Sequence, residues 1–197
     1  MARTVDPARH EARRLVIIDA ALTVFAERGY DGTTTAAICR RAGIGSGTFF
    51  HYFPTKLDVL LAILTLGTQE TGGAEARYAG RTDALGVVLD IVRQGADDAS
   101  DPRMPGFVRA VGGIMHLPDV AARLDEDASV QQDLIRPWVE RAQRAGEIRT
   151  DLTPDRITSW LYLLTDGFLG RVAVDEGFTA EGEKETLVET ARRFLAP

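Results

Sequence analysis

Thr33-Thr34-Thr35-Ala36-Ala37-Ile38-Cys39-Arg40-Arg41-Ala42-Gly43-Ile44-Gly45-Ser46-Gly47-Thr48-Phe49-Phe50-His51-Tyr52-Phe53 is the stretch on which the fold of this chain turns. Two short helical patterns meet at Ala42-Gly43-Ile44. Glycine permits the left-handed backbone of a tight inter-helix turn there, and its small or branched apolar neighbours pack the helices together. The pattern predicts a helix-turn-helix whose second helix is free to enter a major groove.

Upstream, Leu15, Ile18, Leu22 and Phe25 recur at intervals of three and four, which places them on one face of a helix that Gly29 ends. Thr33 or Thr34 caps the next helix, with Ile38, Ala37, Ala42 and Thr35 inward and Arg40 and Arg41 outward, toward backbone phosphate. The recognition helix then runs from Gly47 to about Phe53 with Ser46 as its N-cap. Pro54 stops it, and Thr55 caps a longer helix from Lys56 to about Gly67 that buries Leu57, Leu60, Leu61 and Leu64.

A helix that reads bases needs short or hydrogen-bonding side chains at its leading end and its own free amides near the phosphates. Ser46 and Thr48 supply hydroxyls, and Gly47 lets the backbone approach closely. His51 and Tyr52 lie one turn on, within reach of a base edge or phosphate, and Lys56 is placed to clamp the backbone. Phe49 and Phe53, four apart, hold the helix on the core, while Phe50 faces out, where its ring can meet a thymine methyl.

The net charge of −6 argues at first against a nucleic-acid partner. It is unevenly spread: residues 1–60 carry eight basic and six acidic groups, the remainder 15 basic and 23 acidic. A mildly basic head on an acidic body favours one docking orientation on a duplex. The single cysteine, Cys39, cannot form an internal disulfide and reads as a small buried apolar group. With three scattered histidines there is no metal-ligand spacing, and no cofactor is expected. Gly43-Ile44-Gly45-Ser46-Gly47 lacks a preceding strand and has its glycines misplaced for a nucleotide loop. Neither a phosphate-binding loop nor a nucleophile elbow occurs, so an enzyme is not expected. The polar N-terminus and the lack of a long apolar run point to a cytoplasmic protein with no membrane partner.

Beyond residue 67 the pattern stays helical. Gly72-Gly73 is a break, and Asp83 to about Ala99 forms a helix. Asp101 to Gly113 is punctuated by Pro and Gly, and Val120 to Ala145 is long and amphipathic with Pro137 kinking it. Pro154 opens a helix to about Asp175, and Glu181–Leu195 closes the chain. The expected fold is all-α, with about nine helices: a three-helix head over 11–56 and a helical body over 57–197.

From Ile17-Ile18-Asp19-Ala20-Ala21-Leu22, through Phe25-Ala26-Glu27-Arg28-Gly29-Tyr30, Thr33-Thr34, Ile38, Arg41-Ala42-Gly43-Ile44 and Gly47-Thr48-Phe49, to His51-Tyr52-Phe53-Pro54-Thr55-Lys56, the chain resembles the tetracycline-repressor (TetR) family of bacterial transcriptional regulators. That resemblance covers about the first third. It implies a homodimer on a pseudo-palindromic operator, a small-molecule effector in the C-terminal domain, and repression relieved by that effector. Four positions depart from the family pattern: Gly45 replaces a usual serine, Ser46 a larger basic or polar residue, Phe50 a tyrosine that often donates to phosphate, and Thr35 a usual apolar residue.

The body must then supply dimerisation and control. The helix from Pro154 carries Ile157, Leu161, Leu164, Phe168 and Val172 on one stripe and Trp160, Leu163 and Gly167 on another, so it is buried on more than one side. With Leu187, Ala191 and Phe194 of the last helix, Trp160 and Leu164 are the candidates for a two-fold four-helix interface. Phe107, Met115, His116, Trp138, Tyr162, Asp166 and Phe168 could line an effector pocket, as apolar surface with a few polar groups. The competing function is a helical small-molecule-binding protein whose head no longer recognises an operator, kept alive by Gly45, Phe50 and the acidic balance.

Overall fold

Residues 7–197 are described by the computed structural model. Ten helices and no strand occur among them: α1 (Pro7–Gly32), α2 (Thr35–Ala42), α3 (Ser46–Tyr52), α4 (Lys56–Gly72), α5 (Glu75–Tyr78), α6 (Ala84–Asp98), α7 (Met104–Gly112), α8 (Pro118–Arg144), α9 (Pro154–Val174) and α10 (Ala180–Leu195). The one-turn α5 and all of α7 lie where the sequence suggested breaks. Pro105 is tolerated because it sits in the first turn of α7. Phe107, Ala110 and Val111 then bury one face at helical spacing. Conversely α4 runs through Gly67 and ends only at the Gly72-Gly73 pair, and Pro137 lies inside α8 without ending it.

Two compact units result. The first holds the residues to Leu66 together with Gly106–Arg123; the second holds Gly67–Pro105 and Leu124–Pro197. The unit that contains the head is therefore larger than the 11–56 segment, because the start of α4 and all but the first two residues of α7 belong to it.

In the first unit, the buried stripe of α1 is Ile17, Ile18, Ala21, Val24 and Phe25. Ile18 and Phe25 of the face read from sequence belong to it, but the other two residues do not. Leu15 is 39% exposed and Leu22 only half-buried, so the helix is rotated to put Ile17 and Val24 inside. Gly29 has φ 67°, ψ 177° and interrupts α1, as the glycine's position suggested. Phe25, Ile38, Phe49 and Leu60 are wholly buried, each contributing about 1.5–3 kcal/mol of apolar transfer. Cys39 joins them as a buried thiol.

The second unit is built on α6, α8, α9 and α10. Val88, Val92, Val139, Ile157, Leu161, Leu187, Val188, Ala191 and Leu195 form its core. Pro154 opens α9 in the first turn with Thr153 as N-cap, whose hydroxyl accepts from the Arg156 amide. Ion pairs of Arg93 with Glu185 and of Lys184 with Asp97 (2.7 Å) tie α6 to α10 at the surface.

Candidate nucleic-acid interface

The turn between α2 and α3 is set by backbone bonds. Gly43 sits at φ 63°, ψ 37°; its amide donates to the Arg40 carbonyl, and the Ile44 amide donates to that of Cys39 at 3.0 Å. This crossed pair is a Schellman motif, which satisfies the last carbonyls of α2 and requires the left-handed residue that glycine supplies. Of the two candidate caps, Thr34 caps α2, its hydroxyl accepting from the Ala37 amide at 3.2 Å. Thr33 is 1% exposed and its hydroxyl donates to the carbonyls of Gly29 (2.7 Å) and Val24. Thr33 is therefore internal strapping and cannot touch a duplex.

Gly45, in extended conformation, is the residue that precedes α3, and no side chain caps the helix. Ser46 is its first helical residue rather than its cap. Its exposed hydroxyl is thereby left free of capping duty. Phe49 (0%) and Phe53 (4%) fasten α3 to the core, while Ser46, Gly47, Thr48, Phe50 and His51 are exposed. Phe50 is 52% exposed, edge-on to Phe49, and offers an apolar face outward. Tyr52 is half-buried, its ring 4.5 Å from that of His10 on α1, and His51 lies 6.0 Å from the same imidazole.

The charged residues separate into used and unused. Lys56 Nζ donates to the Tyr30 carbonyl at 2.8 Å and the Thr33 carbonyl at 3.2 Å, and lies 4.2 Å from the centre of the Tyr30 ring. It binds protein backbone here rather than standing free as the expected phosphate clamp would. Burial, reinforced by Asp31 and Asp58, raises the Tyr30 phenol above its ordinary value, so that ring stays neutral under the cation. Arg41 is exposed and pairs with Glu27 at 3.0 Å, a surface bridge that a phosphate could displace. Arg40 is exposed, with no side-chain partner among the described residues. Thr55 and Asp58 form a reciprocal capping box at the start of α4: the Thr55 hydroxyl accepts from the Asp58 amide, and the Asp58 carboxylate accepts from the Thr55 amide at 2.8 Å.

Beside α3 lies an open concavity of about 570 Å³ lined by Gly43, Ile44, Gly45, Gly47, Thr48, His51 and Tyr52, and by Arg13 of α1. Arg13 and His10 were not singled out in the sequence: His10 was read only as part of a polar N-terminus and Arg13 only as one of the basic groups, although their three-residue spacing on the first turns of α1 puts them on one face.

Residues 17–63 match the family described as bacterial regulatory proteins, tetR family. The HTH-type transcriptional repressor Rv1474c of Mycobacterium tuberculosis is 30% identical over 169 residues, spanning 84% of each chain. This chain belongs to the TetR family of bacterial regulatory proteins. A TetR transcription regulator from Haloarcula marismortui superposes with a TM-score of 0.81 at 18% identity, covering 94% of this chain and 97% of that one. The Bacillus subtilis regulator FadR, solved in complex with stearoyl-CoA, superposes at 0.75 and 19% identity, covering 92% and 98%. Like its TetR relatives, the protein is a DNA-binding transcriptional regulator with an N-terminal helix-turn-helix and a helical C-terminal domain.

The residues proposed from sequence for an effector pocket fall into both units. In the first unit, Phe107 is buried on α7, while Met115 (57%) and His116 are exposed after it. In the second, Phe168 is core and packs edge-on to Phe178. Trp138 is half-buried, with the Arg141 guanidinium stacked 4.3 Å from its ring. Tyr162 is half-buried with its phenol raised by burial and by Asp166, Asp127 and Asp125. None of the seven lines the α3 groove or the second concavity, which lies along Ala26–Gly32 and α7.

The interface residues also divide. Leu187 and Ala191 are buried within the subunit, where α10 packs on α6 and α9, so they cannot face a second copy. Leu164 and Phe194 are half-buried, and Trp160 is 45% exposed with its ring 6.2 Å from Phe194. Trp160, Leu163 (53%), Gly167, Gly170 and Val174 (70%) form an exposed stripe along α9 at alternating intervals of three and four. Among the described residues no single helix is long and apolar enough to cross a membrane.

Proposed function

We infer that this TetR-family protein is a cytoplasmic, homodimeric transcriptional repressor that holds a pseudo-palindromic operator and lets it go when a small molecule binds its second unit. The observation that carries the reading is the division of α3 into a buried aromatic anchor, Phe49 and Phe53, and an exposed face of Ser46, Gly47, Thr48, Phe50 and His51. A helix held rigidly from behind, with small and hydrogen-bonding groups in front, is what major-groove reading requires. Thr34, Arg40 and Arg41 would meet the flanking phosphates from α2, and two such heads would sit about 34–36 Å apart, one turn of DNA.

Repressor action is supported by the relative from Mycobacterium tuberculosis, a transcriptional repressor. Effector control is supported by FadR, whose structure holds stearoyl-CoA. Release requires that the effector bind the conformation unable to hold DNA more tightly, and the operator must then weaken effector binding by the same factor. Trp138 and Tyr162, both half-buried in the second unit, are the side chains we assign first to that ligand. Homodimerisation rests on the exposed apolar stripe of α9, too long and regular for a solvated surface.

The test is selection of duplexes from a random pool by the full-length protein, followed by binding titrations over a range of salt. A repressor enriches an inverted repeat, and its affinity falls steeply with salt. Failure to enrich any sequence would leave the helical small-molecule-binding alternative.

A further inference from the structure

We propose that the first turns of α1 form the second wall of the DNA-binding groove, with Arg13 contacting a backbone phosphate and His10 holding it in place through Tyr52. The inference rests on the DNA-binding reading above and adds residues to it. The groove beside α3 is lined by eight residues of which seven come from the α2–α3 turn and α3; the eighth is Arg13, and none is acidic. Arg13 is exposed and its guanidinium has no partner among the described residues, whereas Arg14 pairs with Glu11 at 3.2 Å and lies over the Phe53 ring. Lys56 is committed to the carbonyls of Tyr30 and Thr33. Arg40 and Arg41 do not line this groove, so the arginine that supplies positive charge to a phosphate within it is Arg13. An unpaired guanidinium has two parallel donors for phosphate oxygens and does not have to abandon an existing bond.

His10 is one turn earlier on the same face of α1. Its ring lies 4.5 Å from Tyr52 and 6.0 Å from His51, both lining the groove, so an aromatic contact fixes the α1 turn against the far end of α3. His10 is a positioning residue: it sets where the Arg13 side chain starts.

The experiment uses the full-length protein and a duplex that the wild type itself enriches from a random pool, with affinity measured by fluorescence anisotropy at several salt concentrations. Arg13→Ala should weaken binding by about tenfold and lower the salt slope by about one counterion per subunit, leaving the order of base preferences unchanged. Arg13→Lys should keep most of the slope. His10→Ala should reduce affinity, His10→Phe should restore it, and the double variant Arg13→Ala with His10→Ala should bind no worse than Arg13→Ala alone. An unchanged slope in Arg13→Ala overturns the proposal while the regulator reading stands. A wild type that enriches no sequence overturns both.

Discussion

The ammonium of Lys56, at the first turn of α4, donates to the carbonyl oxygen of Tyr30, the residue just past the Gly29 break in α1, across 2.8 Å. With the second bond to Thr33 and the Tyr30 ring beneath it, this cation closes the loop that links α1 to α2. Removing it takes the charged donor from both carbonyls and leaves that of Tyr30 with only the Thr33 amide, at 3.2 Å. Lys56→Met, which keeps the apolar stem, should cost about 1.5–3 kcal/mol, the range for hydrogen bonds to charged groups, read as a lower urea midpoint. The salt slope of DNA binding should not move. A slope reduced by one counterion per subunit, with stability intact, would return Lys56 to phosphate binding.

Gly106 on α7 supports a second prediction. A Cβ built there would stand 2.2 Å from the Ala26 carbonyl oxygen and 2.8 Å from its carbon. Both are backbone atoms, so no side chain can turn aside. Gly106→Ala should displace α7 from α1 and destabilise the protein by about 1–3 kcal/mol, the usual range for overpacking. Calorimetry checks it; an unchanged unfolding temperature would mean that α7 slides without cost.

Gly47 should behave in the opposite way. A Cβ there meets nothing within 4 Å, and its backbone is not left-handed, so Gly47→Ala should leave stability unchanged or raise it by up to about 1 kcal/mol, alanine being the better helix former. The same methyl would project from the exposed face of α3. Binding to the selected duplex should fall at least tenfold if the backbone approaches the DNA there, and calorimetry beside titration separates the two effects.

These glycines and cations mark what the sequence could and could not tell. The α2–α3 turn was legible because Gly43 has a local reason to be glycine, and Phe49 and Phe53 because a four-residue spacing fixes one face. The internal bonds of Lys56 and Thr33 were not legible because their partners, Tyr30, Gly29 and Val24, are settled by tertiary packing rather than by position in the motif. The buried face of α1 was misjudged in part because Leu15, Ile18, Leu22 and Phe25 make as regular a stripe as the true one. A sequence with apolar residues on two adjacent faces does not say which one meets the core. Leu187 and Ala191 fail as interface residues for the same reason: α10 has one apolar face, and α6 and α9 of its own subunit cover it.

The α9 stripe is the surface proposed above for a second copy, and it yields the last prediction. Trp160, Leu163 and Val174 are exposed at 45%, 53% and 70%, and Gly167 and Gly170 between them keep the face low enough for another helix to approach. A stripe with this alternation of three and four is the form that packs helix on helix. Leu163→Glu places a charge at its middle, where a dimer would bury it without a partner. It should convert the protein to a monomer in sedimentation velocity while helical content stays intact, because the side chain contributes little to the subunit's own core. DNA affinity should fall with it, since a single head loses the half-site of its pair. A dimer that persists in Leu163→Glu would move the interface off α9.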